Sequence, residues 1–125
     1  MLRQSPKFEA RRTVATLYGE MGQLIHPTPD AMDLTAVMHA LSDPARRKVV
    51  AVLAVEGERA CGTFDLGVTK ATASHHFKVL REAGITMTRI DGAHRLLTLR
   101  RDDLDARFPG LLDAVLAAEP AGAVA

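Results

Sequence analysis

The sequence predicts a mainly α-helical domain that carries a single β-hairpin. Three observations predict it. Aromatic residues are scarce, with four Phe, one Tyr and no Trp among 125 residues, and Ala, Val and Leu dominate the hydrophobic 47%, a composition that packs helices through small aliphatic side chains. Apolar residues recur at spacings of three and four over most of the chain. After Gly84 that period gives way to strict alternation around an Asp-Gly pair, the strongest short-range signal for a hairpin.

Ser5 as an N-cap and Pro6 at a first helical position introduce apolar residues Val14, Leu17, Tyr18, Met21, Leu24 and Ile25, so the spacing predicts an amphipathic helix over 8–25. "HPTPD" at 26–30 ends it, because proline cannot continue a helix. Leu34, Val37, Met38 and Leu41 mark a second helix over 31–41. "SDPARRKVVAVLAVEGE" offers Asp43 as N-cap, Pro44 at N1 and Val49, Val50 and Leu53 facing inward, with a stop near Gly57. "RACGTFDLGV" at 59–68 holds two glycines and has room for one helical turn at most. Thr69 caps a helix from Lys70 to Ala83, and Gly84 stops it. "ITMTRI" and "RLLTL" are strands on either side of "DGAH". Helical periodicity resumes near Asp102, breaks at "FPG" (108–110) and continues with Leu111, Leu112, Val115 and Leu116. The expected organisation is a helical N-terminal extension over 1–30, one working domain over 31–118 and a loose tail over 119–125.

A net charge of +1 conceals sorted charge. Residues 70–101 hold seven cations, Lys70, Lys78, Arg81, Arg89, Arg95, Arg100 and Arg101, against Glu82 and Asp91. Residues 102–125 reverse the sign with Asp102, Asp103, Asp105, Asp113 and Glu119 against Arg107. A local basic field on a near-neutral chain suits a polyanion that meets one face. The single cysteine, Cys61, excludes an intrachain disulfide and a thiolate zinc cage within one chain. "MLRQSPKFEARR" has no apolar signal core, and no run approaches the roughly 20 apolar residues of a bilayer span. The expected location is the cytoplasm, without a membrane partner.

"TKATASHHFKVLREAG" contains two adjacent histidines. Successive helical residues turn by about 100°, so Ala73, His76, Phe77, Leu80 and Ala83 share one face, and Ala71, Ser74, His75, Lys78 and Glu82 the opposite one. His75 and His76 therefore diverge, whereas helical metal pairs sit three or four residues apart. No metal or cofactor site is expected there. His76 is expected to hydrogen-bond inside the fold and His75 to face outward beside Lys70, Thr72, Ser74 and Lys78, residue types that meet phosphates and base edges. The same divergence argues against Ser74, His75 and Asp65 acting as a nucleophile, base and orienting acid, and no oxyanion motif accompanies them; no enzyme activity is expected.

A capped helix with a small-residue N-terminal half, a tight turn before it and a basic hairpin after it make a winged helix-turn-helix. In that arrangement the helix enters the DNA major groove and the hairpin meets the neighbouring backbone. Arg89 and Arg95 flank the tip, within reach of phosphates. "ALSDPARRKVVAVLAVEGE", "TKATASHHFKVLREAGI" and "RIDGAHRLLTL" resemble, in this order, the corresponding segments of ArsR-type winged-helix repressors over about residues 31–100. The resemblance implies a homodimer that binds double-stranded DNA at a pseudo-palindromic operator, with the helices at 31–41 and 103–117 forming the interface. It places DNA contacts at Lys70, Thr72, Ser74 and His75, and puts His76 on the family's recurring histidine.

Two departures from that family matter. The stretch Asp65–Thr69 is several residues short, so the first helix of the helix-turn-helix is expected to be stunted or replaced by a loop. The paired-cysteine motif of metal-sensing members is reduced to Cys61 in "CGTFDL". Cys61 is either a redox or effector thiol beside the DNA-reading unit or a small core residue, and the effector itself is unreadable. A protein-docking adaptor is the alternative function; it would bind independently of salt and of the wing arginines.

Overall fold

The structure, a computed structural model, describes residues 24–119. The helix expected over 8–25 lies outside these residues apart from Leu24 and Ile25, which are not helical. The chain then runs through a 3₁₀ turn (Pro29–Ala31), α1 (Leu34–Ala40), α2 (Pro44–Glu56), β1 (Arg59–Ala60), a second 3₁₀ turn (Cys61–Thr63), α3 (Lys70–Ala83), β2 (Thr86–Asp91), β3 (His94–Leu99), α4 (Arg101–Arg107) and α5 (Leu111–Ala118).

Caps fix most of the helix ends. The Asp33 carboxylate accepts the Ala36 N–H at 3.0 Å and starts α1. Asp43 accepts from the N–H groups of Ala45 and Arg46 at 2.8 and 3.3 Å, with Pro44 at the first helical position. Burial opposes ionisation of Asp43, but these two N–H donors and the neighbouring Arg46 charge prevail and hold its carboxyl below the ordinary value. The α3 helix ends in a Schellman pattern: Gly84 at φ 89° donates to Arg81 O, and Ile85 donates to Leu80 O, both at 3.0 Å. A Cβ on Gly84 would lie 2.8 Å from Met32 Cγ, so glycine serves both the left-handed backbone and the close approach of the segment before α1.

The three strands form an antiparallel sheet in the order β1-β3-β2. Pairing runs from Thr86↔Leu99 to Asp91↔His94, so the turn is the two residues Gly92 and Ala93, tighter than the "DGAH" loop expected. β1, absent from the sequence expectations, pairs Arg59 with Leu97 and Ala60 with Leu96. Side chains alternate between faces; Thr86 and Thr88 face inward and are buried, while Met87 and Arg89 face out.

α2 is the central element, with Val49–Leu53 buried without a break. Around Val49, Val50 and Leu53 gather Val37 of α1, Leu80 of α3, Leu97 of β3, Leu104 of α4 and Leu112 of α5, each fully buried aliphatic side chain worth about 1.5–3 kcal/mol. The expected break at 108–110 separates α4 from α5, with Gly110 at φ 84°. Arg101 pairs with Asp113 across that corner, and Arg47 of α2 holds Glu119 at 2.7 Å just beyond α5. The described residues are thus mostly helical, with a small antiparallel sheet whose hairpin follows α3, the architecture of a winged helix-turn-helix.

Candidate nucleic-acid interface

The outer face of α3 carries Lys70, Thr72, Ser74, His75 and Lys78, all exposed, whereas His76, Leu80 and Ala83 are buried beneath it. The faces derived from helical geometry hold at each of these positions. At the N-terminus Thr69 Oγ1 accepts the Thr72 N–H at 3.1 Å and donates to Thr72 Oγ1 at 2.9 Å. That leaves the Thr72 hydroxyl its own proton, a donor directed away from the cap. His75 and His76 have ring centroids 6.2 Å apart but opposite surroundings, one in solvent and one 7% exposed.

His76 is positioned by a residue that sequence reasoning missed. Arg46, 6% exposed, places Nη1 3.1 Å from His76 Nδ1. A guanidinium can only donate, so Nδ1 accepts and the ring carries its proton on Nε2. The other nitrogens of Arg46 donate to carbonyls at the end of α1, Ala40 O at 2.7 Å and His39 O at 3.2 Å, the latter also accepting from the Ser42 N–H and hydroxyl. One buried cation thus joins α1, α2 and α3. The polar spacing of "DPARRKVV" gives no sign of which arginine turns inward, since its partner lies 30 residues away.

The wing arginines separate. Arg95 pairs with Ile90, and Leu97 with Thr88, so alternation sets Arg95 on the inner face of the sheet with Thr88, toward α3. Arg89 lies on the outer face, where Glu58 receives it through two hydrogen bonds of 3.1 Å and Asp91 stands 4.0 Å away. The Glu58 bond and charge raise the Arg89 pKa above its already high ordinary value. Among the described residues Lys70, Lys78 and Arg95 have no ion-pair partner within 4 Å, so their charges remain available to an anion.

No α-helix stands where a first helix of the helix-turn-helix would lie: Cys61–Thr63 is a single 3₁₀ turn and residues 64–69 are a loop. Arg59 secures that loop, stacking 4.8 Å from the Phe64 ring centre and donating to Thr63 O at 2.7 Å, while Lys48 holds Asp65 O at 3.0 Å. Cys61 is half-buried, and burial raises its thiol pKa despite the opposing charges of Arg95 and Arg81. Burial thus disfavours its thiolate relative to an unperturbed cysteine. Among the described residues no three His, Cys, Asp or Glu side chains come together as metal ligands, and no helix is long and apolar enough to cross a membrane.

Residues 41–89 match the family model described as a helix-turn-helix domain, a span from the end of α1 through α3 into β2. The chain is 40% identical over 82 residues to an uncharacterised helix-turn-helix-type transcriptional regulator of Bacillus subtilis (strain 168), YceK, covering 63% of this chain and 82% of that protein. It is 41% identical over 63 residues to a homologue of the cadmium resistance transcriptional regulatory protein CadC from Staphylococcus aureus, covering 49% of this chain and 52% of the relative. With these relatives, and with an exposed basic helix and hairpin to meet DNA, the chain belongs to the ArsR-type family of helix-turn-helix transcriptional regulators.

Proposed function

We propose that the chain is a homodimeric repressor in the cytoplasm that occupies a pseudo-palindromic operator and blocks transcription sterically. The observation that carries this reading is the outer face of α3, where Lys70, Thr72, Ser74, His75 and Lys78 stand together in solvent. Thr72, Ser74 and His75 discriminate base edges in the major groove, while Lys70, Lys78 and Arg95 supply phosphate contacts. Arg89 takes part to the extent that DNA competes it away from Glu58. Residues 31–118 are the binding and dimerisation unit, and 1–30 extends it. In α1, Leu34 and Met38 are 47% and 56% exposed one turn apart, an apolar surface that a twofold partner would cover.

Selection from randomised duplex DNA, with titration of the winner at several salt concentrations, tests this reading. The expected winner is an inverted repeat with half-site centres about 34–36 Å apart, bound by a dimer in sedimentation, with a salt slope that steepens by about 0.9 per phosphate contacted. Enrichment of no sequence, or binding that survives high salt after Arg95→Ala, overturns it in favour of a protein-docking role.

A further inference from the structure

A cleft of about 390 Å³ opens between the 61–68 loop, α3 and the inner face of the wing, a size ordinary for small-molecule sites. The short connection between Thr63 and Thr69, which holds no α-helix, leaves this space. One wall is apolar: Phe64 and Phe77 meet with ring centroids 5.7 Å apart, flanked by Leu66 and Val68. Facing it are Lys70, Arg81 and Arg95, against Asp65 as the opposing charge. Asp65 already accepts the Gly67 N–H at 3.2 Å, and among the described residues neither Arg81 nor Arg95 has an ion-pair partner.

Thr88, 5% exposed, backs the cleft from the sheet, with its Oγ1 buried beneath the lining rather than open to it. Two guanidinium groups suit a carboxylate, and the phenyl-lined wall suits an apolar body attached to it.

We infer that this cleft is a binding site for a small organic carboxylate with an aromatic or aliphatic body, its carboxylate held by Arg81 and Arg95, its body against Phe64 and Phe77. Lys70, Ser74 and Arg95 line the cleft and also belong to the proposed DNA face. A bound carboxylate therefore neutralises charge that phosphates would use, and lowers DNA affinity. That effect rests on the proposed function; the site itself does not.

The test titrates the full chain, without DNA, with benzoate, phenylacetate and hexanoate, followed by amide NMR and calorimetry. Benzyl alcohol supplies the body without the charge, and acetate the charge without the body. At least one of the three carboxylates is expected to saturate in the millimolar range or tighter, shifting amides at 61–64 and 77–81 and at Thr88, with both controls about tenfold weaker. Arg81→Gln is expected to weaken binding about tenfold. Arg95→Gln, at the second guanidinium, is expected to weaken it to a similar degree. Saturation by none of the three, equal binding of benzyl alcohol, or affinity unchanged in both variants overturns the site. If Arg81→Gln weakens DNA as much as Arg95→Gln while no carboxylate binds, the cleft holds a DNA phosphate instead and the inference falls. Carboxylate binding that leaves the affinity for the selected duplex unchanged removes the regulatory role and keeps the site; if no duplex is selected, the DNA-free titration still decides it.

Discussion

Replacing His76 by Leu removes the acceptor under Arg46 while filling most of the same space. The guanidinium is 6% exposed and has three acceptors, His76 Nδ1 at 3.1 Å and the carbonyls of Ala40 and His39. Losing the first strands a buried cationic N–H, which costs about 1.5–3 kcal/mol where the donor is charged. Against a total stability of about 5–15 kcal/mol this is a large fraction, and with a urea slope of roughly 1–3 kcal/mol per M it lowers the midpoint by about 1 M. Arg46→Met tests the other side: it takes the donor from Ala40 O, while His39 O keeps the Ser42 N–H and hydroxyl, and it leaves no buried charge. In Arg46→Met/His76→Leu the stranded donor is gone, so the double variant is expected to be less destabilised than the sum of the singles by about 1–2 kcal/mol. Urea unfolding of the four proteins, read by circular dichroism, completes the cycle. Additivity within about 0.3 kcal/mol, or a His76→Leu protein as stable as the parent, would refute the idea that this contact anchors α3.

Gly84→Ala is expected to destabilise by about 2 kcal/mol or more, from a strained backbone at φ 89° and a clash with buried Met32; thermal melting checks it. Arg95→Ala is expected to lower the DNA salt slope by about 1, while Arg89→Ala does less and Glu58→Gln strengthens binding by freeing Arg89; fluorescence anisotropy at several salt concentrations distinguishes them. His26 Nε2 accepts the Thr88 N–H at 2.9 Å, and burial, with the charges of Arg100 and Arg81, holds its pKa below the ordinary 6.5. Between the lowered folded value and 6.5 the unfolded chain binds more protons. This contribution to stability is therefore complete above 6.5 and lost as pH falls through the folded value. His26→Gln, which keeps an acceptor but does not titrate, is expected to flatten that dependence in urea midpoints measured between about pH 5 and 8. Cys61, its pKa raised by burial, is expected to alkylate with iodoacetamide more slowly at neutral pH than an unstructured cysteine peptide, followed by mass spectrometry.

The elements that carry their own punctuation were legible in the sequence. Asp43 with Pro44, Thr69 with Gly84, and the Asp-Gly pair at 91–92 are local signals, and α2, α3 and the hairpin stand where these place them. β1 was not legible, because two residues have no periodicity and their strand character comes from pairing with Leu96 and Leu97 far along the chain. The divergence of the two histidines followed from helix geometry alone. The opposed directions of Arg89 and Arg95 did not follow, since they depend on a register in which Arg95 faces Ile90. Arg46 was invisible for a related reason: what a polar side chain does when buried is decided by partners assembled from distant segments.

The sheet has two edges of unequal exposure to other chains. β1 is two residues long, too short to template another strand. β2 is six residues long, and its outward N–H and C=O groups would otherwise invite a neighbour's strand to extend the sheet. The segment arriving at α1 crosses that edge: His26 takes the Thr88 N–H, and Arg100 grips Pro27 O at 2.7 Å to hold the segment in place. Prolines at 27 and 29 cannot donate to a ladder, so the cover cannot itself propagate the sheet. The bond by which His26 responds to acid is therefore also the one that occupies the Thr88 N–H, a donor that a neighbour's strand would otherwise take.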